Sequence, residues 1–254
     1  DVVHVKWSNC PSGDFNRAKG KETFPSLGFE CITDFNRRIL SVYGPHFGSC
    51  NDMDIVKTNS YVRSMTKSRL HRDARWSYYG DQGHVRTHRG SYFICNNGYL
   101  RWPTTICPFM RVDCSSPEGF FSSNLKRVRK DVKCTFGILK KRWRVLNNGF
   151  LQREMEVCSK IFITCCWLNN FLVDLMERST VRVGRGAPLD DDGMWLSGRA
   201  EGEEEQADGD ASEDEPVAES EDDRELVQAF MQHRGLLVKH LHHLCRKGVI
   251  PASL

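Results

Sequence analysis

Between residues 125 and 143 six apolar side chains, Leu125, Val128, Val132, Phe136, Leu139 and Trp143, recur at intervals of 3, 4, 4, 3 and 4. Only an α-helix gathers that spacing onto one face, so the stretch predicts a long helix with an apolar stripe turned to a core. Beside it, about 100° round the helix, runs a second stripe of Lys126, Lys130, Lys133, Gly137, Lys140 and Arg144. Such a helix packs along one edge and presents cations beside it. A second helix is expected over residues 151–178, and its segment 161–168 is apolar almost all round, which predicts burial on a sheet or on the first helix.

Ahead of the helices the period changes from 3.6 to 2. Residues 1–7 (Asp-Val-Val-His-Val-Lys-Trp), 26–34 and 38–43 read as three strands of an antiparallel meander, with a turn at Cys10-Pro-Ser-Gly-Asp14. Gly44-Pro45 ends the meander, and Gly48-Ser-Cys-Asn-Asp52 introduces a helix beginning near Asp52. Residues 63–89 are rich in Arg and His and poorly patterned, which reads as loop with short helices. A short strand over 91–95 runs into the turn Asn96-Asn97-Gly98-Tyr99. Strands followed by helices that pack on them make an α/β pattern.

Charge divides the chain differently. The formal net charge is only +3, but residues 190–225 carry 17 acids against Arg199 and Arg224, a net of −15, and the remainder carries +18. The expected organisation is a folded body over 1–180, a Gly-containing acidic linker over 181–223 too poor in apolar residues to order itself, and an amphipathic helix over 224–248 weakened by Gly235. A basic body beside an acidic segment points to a polyanionic partner, nucleic acid first. With 39% hydrophobic residues in 254, a wholly disordered, collagen-like or small disulfide-scaffold protein is excluded. The eleven cysteines form no CxxC pair and several sit in apolar runs, as reduced, buried thiols do. No secretory leader is visible and the longest apolar run, 161–168, is too short for a bilayer, so a soluble intracellular protein is expected. Asp1 opens inside a strand-like run without a methionine, which implies an upstream portion.

Four blocks in order, the opening Asp-Val-Val-His-Val-Lys-Trp, Gly48-Ser-x-Asn-Asp52, Asn96-Asn-Gly-Tyr-Leu-Arg-Trp-Pro103 and Val132-Lys-Cys-Thr-Phe-Gly-Ile-Leu-Lys-Lys-Arg-Trp-Arg144, resemble the catalytic domain of PIF/Harbinger transposases. The similarity runs from residue 1 to about 178 and implies a DDE-type endonuclease with an RNase H-like fold. It also implies magnesium or manganese as cofactor, DNA as substrate, a DNA-binding partner protein and work in the nucleus or, failing that, the cytoplasm. Such chemistry takes three carboxylates, because two hard divalent ions activate water and steady the leaving oxygen.

Block by block, the three acids of the family fall on Asp1, Asn96 and Lys133, the last two 37 residues apart as in the family's pattern. Two of the three are replaced, and the mapped set sums to zero charge. Exchanging a carboxylate for an ammonium beside a divalent ion forfeits on the order of 10 kcal/mol, so metal binding in the family's geometry is expected to fail. Asp131, two residues or about 200° from Lys133, faces elsewhere. Asp52, which the family pattern keeps near the site, leaves Asp1 and Asp52 as the candidate metal ligands. The resemblance turns the cationic stripe into a candidate nucleic-acid face formed by Lys126, Lys130, Lys140 and Arg144, whereas the residues alone favour a solvated surface.

Other groupings carry less. His4 sits three residues after Asp1, but a strand histidine is usually packed or hydrogen-bonded. His240, His242, His243 and Cys245 lack the paired spacing of a zinc site. The strings 126–130 and 140–144 resemble nuclear-localisation signals but fall within the packed helix, and Gly184-Arg-Gly186 matches no phosphate-binding loop.

Overall fold

The computed structural model describes residues 1–65, 67–80, 84–183 and 221–247. The chain forms two compact units, Asp1–Asn51 with Lys130–Ala207, and Asp52–Arg129 with Asp208–Leu254.

In the first unit β1 (Val2–Lys6), β2 (Ser26–Thr33) and β3 (Ile39–Phe47) form an antiparallel sheet in that order, with a short helix α1 (Phe15–Ala18) between β1 and β2. Val3 pairs with Phe29 and Val5 with Leu27, which puts the apolar member of each alternation on one face. Onto that face come Val132, Phe136 and Leu139 of α5 (Pro117–Arg142), Leu146 of α6 (Arg144–Asn148), Phe150, and Cys158, Phe162, Cys165 and Cys166 of α7 (Met155–Val183). Phe29 stacks on Phe162 with ring centroids 4.1 Å apart and meets Phe150 edge-on at 6.1 Å. α7 lies along β3, where Asn170 both accepts from the Ile39 N–H (2.9 Å) and donates to its carbonyl (2.8 Å), and Asp174 pairs with Arg38. Gly149 has φ +91° and turns so close beneath β1 that a Cβ would lie 2.8 Å from the Lys6 carbonyl oxygen, so the turn requires glycine.

Two expectations are corrected here. The long helix is interrupted at Trp143, whose extended backbone (φ −114°, ψ 97°) ends α5 and starts α6, so Arg144 does not continue the helix that carries Lys126 to Lys140. The stretch 161–168 is not buried all round: Phe162, Cys165 and Cys166 are buried, but Trp167 and Leu168 face outward, because the sheet covers one side of α7 only.

The second unit holds α2 (Asp52–Thr58), α3 (Ser60–Met65), α4 (Arg69–Arg72), β4 (Arg75–Tyr79), β5 (Val85–Arg89), β6 (Phe93–Ile94), β7 (Thr105–Ile106), the first half of α5, and α8 (Glu221–Arg246). β4 and β5 form an antiparallel hairpin, Trp76 opposite His88 and Tyr78 opposite Arg86, where the sequence had suggested only loop and short helices. The arginines at 75, 86 and 89 hide the alternation that Trp76 and Tyr78 supply. β6 and β7 pair in parallel. α8 packs on β4 and β7 and buries Phe230, His233, Arg234, Leu237 and Val238. The cation of Arg234 lies 3.6 Å from the ring of Phe109 and 4.7 Å from that of Phe230.

The fold is thus mixed α/β. All eleven cysteines are free thiols and six are buried. Burial pushes Cys107 up to about 12 and Cys158 and Cys165 to about 11, so they behave as small apolar groups. No described helix is long and apolar enough to cross a membrane. Of the expected acidic linker, residues 184–220 lie outside the described residues, and with them Gly184-Arg-Gly186.

Candidate functional site

Asn96 stands just beyond β6, held by the ladder to β7 through the Cys95 N–H, which donates to the Ile106 carbonyl at 2.9 Å. The turn that follows fixes its side chain, because the Gly98 N–H donates to Asn96 Oδ1 (3.0 Å). This leaves the amide nitrogen to face away, and Asn96 Nδ2 donates to Asp52 Oδ2 at 2.9 Å. Only that orientation of the amide satisfies both contacts. Asp52 is the first residue of α2, where the free N–H groups of a helix start favour a carboxylate. A Cβ on Gly98 would lie 3.2 Å from Asn96 Oδ1 and 3.4 Å from Asp52 Oδ2, so positions 52, 96 and 98 converge within the second unit.

In the first unit, Asp1 immediately precedes β1. Its carbonyl accepts from the Cys31 N–H (2.9 Å) and its Oδ1 from the Val2 N–H (3.1 Å). Lys133 is exposed on α5 between buried Val132 and Phe136, while Asp131 lies 3.8 Å from Arg37. Lys126 and Lys130 are exposed, Lys140 is half-buried, and Arg144 is exposed on α6. Val128, predicted on the apolar stripe, is exposed as well. Arg142, inside the basic string 140–144, turns inward and donates to Asn169 Oδ1 at 2.7 Å, with burial lowering its pKa.

His4 lies within the sheet, Nδ1 3.3 Å from Ser26 Oγ. The α8 histidines line up along Tyr79: His240 Nδ1 accepts from the Tyr79 N–H (3.0 Å), and the His240 and His243 rings stack on the Tyr79 ring at 5.8 and 4.5 Å.

Sequence reasoning missed the rest of this contact. His233 stacks on His88 (4.4 Å) and Trp76 (5.7 Å), and because the Pro103 oxygen can only accept, the 2.9 Å contact makes His233 Nδ1 the proton donor. His233 Nε2 is buried with no hydrogen-bond partner among the described residues. Burial pulls His88, His233 and His240 below the usual imidazole range; His88 adds to this at His233 and His243 at His240, while the Pro103 carbonyl opposes it at His233. The packing of α8 therefore requires neutral imidazoles. Their lowered pKa values contribute stability above about pH 6.5 that is lost as pH falls through the folded values. Urea unfolding at about pH 7.5 and pH 5.5 is expected to show the second unit less stable in acid by about 1–3 kcal/mol, the cost of an N–H buried without an acceptor. His233→Phe is expected to reduce that difference; an unchanged difference would separate it from this cluster.

The chain is thus a mixed α/β protein that brings Asp52 to Asn96 and carries exposed lysines along α5. Residues 1–180 match the plant transposon protein family, and the chain belongs to it. It is similar to "Protein ALP1-like" of Arabidopsis thaliana, with 22% identity over 181 residues, which make up 70% of this chain and 43% of the relative. The chain thus spans less than half the length of that relative. No solved structure matches it.

The residues at the mapped positions do not fit a pair of divalent ions. By residue type these positions offer one carboxylate, one amide and one ammonium, and Asp52 Oδ2 already accepts a hydrogen bond from the Asn96 amide, a donor set unsuited to two hard cations. Among the described residues no three or more His, Cys, Asp or Glu side chains gather as a metal site would require.

Proposed function

We propose that residues 1–180 are a PIF/Harbinger-type DDE endonuclease domain of RNase H-like descent that has lost metal-dependent DNA cleavage and retains DNA contact as a non-catalytic binding module. The observation that carries this reading is the Asn96–Asp52 hydrogen bond. The second mapped acid position meets an acid, as a metal site would arrange, but it presents an N–H donor where a ligand oxygen would be. Lys133 adds a positive charge at the third position. The lysines of α5 would hold the phosphate backbone, work in the nucleus would follow, and a separate DNA-binding protein could supply sequence recognition as the resemblance implies.

The purified chain is expected to leave supercoiled plasmid DNA unnicked in Mg²⁺ or Mn²⁺ and to bind duplex DNA of unrelated sequences with affinity that falls steeply as salt rises. Nicking abolished by Asp1→Ala or Asp52→Ala would return an active site to these residues. Failure to bind at low salt would remove the DNA-binding reading.

A further inference from the structure

Four large apolar side chains line one face of α7 and lie outside the core formed by the described residues: Trp167 is 74% exposed, Leu168 43%, Phe171 59% and Leu175 44%. They fall within about 100° of arc, opposite the face that buries Cys158, Phe162, Cys165 and Cys166 against the sheet. Thr164 continues the strip toward the N-terminus, its hydroxyl spent on the Lys160 carbonyl at 2.8 Å. Among the side chains described on α7, Lys160 is paired with Glu156 and Asp174 with Arg38. The uncharged strip spans Thr164 to Leu175, about 17 Å at the rise of an α-helix.

We propose that this face is a self-association surface, on which the α7 helices of two copies pack antiparallel about a two-fold axis passing beside Phe171. The spacing carries the choice of a second copy. An isologous contact needs a surface complementary to itself. About Phe171 the strip is: Trp167 and Leu175 lie four residues to either side, so the large ring of each copy meets the smaller side chain of the other, and Phe171 meets Phe171. The area is sufficient. The four side chains leave roughly 450 Å² of apolar surface open on each copy, and two such faces with their flanking residues reach the ~1,000 Å² that a specific interface requires. A strip of that size matches the largest apolar patch that a single chain commonly exposes, and such patches are often functional. The inference does not depend on DNA binding or on the fate of the metal site.

The test is sedimentation of the full chain over a range of micromolar concentrations. A concentration-dependent dimer is expected, and a monomer throughout would overturn the proposal. Trp167→Lys and Leu175→Glu are each expected to weaken the dimer by about 30-fold or more, as removal of a central anchor does, with circular dichroism unchanged. Mixing the two single variants supplies the decisive arm. In the antiparallel register the introduced ammonium of one copy meets the introduced carboxylate of the other, so the mixture should dimerise more tightly than either variant alone. Two folded variants that stay monomeric when mixed would overturn the pairing, as would wild-type dimers that both substitutions leave intact. Phe35→Lys, on an exposed ring outside α7, is expected to leave the association unchanged.

Discussion

Replacing Asn96 by aspartate is expected to make the protein's stability depend on a divalent cation. The Gly98 N–H would hold one oxygen of the introduced carboxylate as it now holds Asn96 Oδ1, which leaves the other facing Asp52 Oδ2 across the 2.9 Å that now separates it from Nδ2. Two unit charges that close repel by about 5 kcal/mol at an effective dielectric of about 20, and partial exposure of both residues leaves a few kcal/mol. One of the two carboxyls would then titrate above its unfolded value, so the native state would hold a proton that the unfolded chain releases. Stability is expected to fall as pH rises from about 4 toward 7, the reverse of an ion-paired acid. Millimolar Mn²⁺ should restore the melting temperature of Asn96→Asp and leave the wild type unmoved. Adding Lys133→Glu is expected to tighten the ion further if the family's three positions act together. A variant as stable as wild type at neutral pH, with no response to Mn²⁺, would mean that positions 52 and 96 do not meet in solution.

That adjacency was not visible in the spacing of residues. Asp52 and Asn96 are 44 positions apart, and no periodicity links them. The family resemblance suggested that both sat near one site. The parts that could be read directly were those in which one period repeats: the meander, because Val3, Val5, Leu27 and Phe29 alternate, and the helices, because Val132, Phe136 and Leu139 recur every three or four residues. The break at Trp143 was hidden because Arg144-Val-Leu keeps the helical pattern and no glycine lies between Trp143 and Gly149. The hairpin was hidden because Arg75, Arg86 and Arg89 make its two strands read as polar. The open face of α7 was misread for a simpler reason: apolar composition says that a surface avoids water, but not which neighbour covers it. The packing of α8 bears on experiment too. Phe230, His233 and Val238 are buried beside β4 and β7, so cutting the chain at residue 180 would strip part of the second unit's core.

The largest effect on DNA binding is expected from α5. Lys126, Lys130 and Lys133 are exposed and lie on one side of a continuous helix, Lys126 and Lys133 about 10 Å apart along the axis. That length suits contact with two or three neighbouring phosphates of one strand. Each phosphate contact contributes about 0.9 to the slope of log affinity against log salt, so changing all three lysines to glutamine should flatten the slope by about 2.7 and weaken binding a few hundred-fold near 0.1 M salt. Lys19→Gln, an exposed lysine after α1, serves as the control and should change the slope little. Lys133 tests more than charge, because the proposed function assigns its position to the third catalytic carboxylate. If Lys133→Gln alone removes a full contact's share of the slope, phosphates reach the old metal position and the substitution has exchanged metal binding for direct grip on the backbone. If Lys126→Gln and Lys130→Gln flatten the slope and Lys133→Gln does not, DNA passes along the helix without entering that position. An unchanged slope in the triple variant would place DNA on another surface altogether.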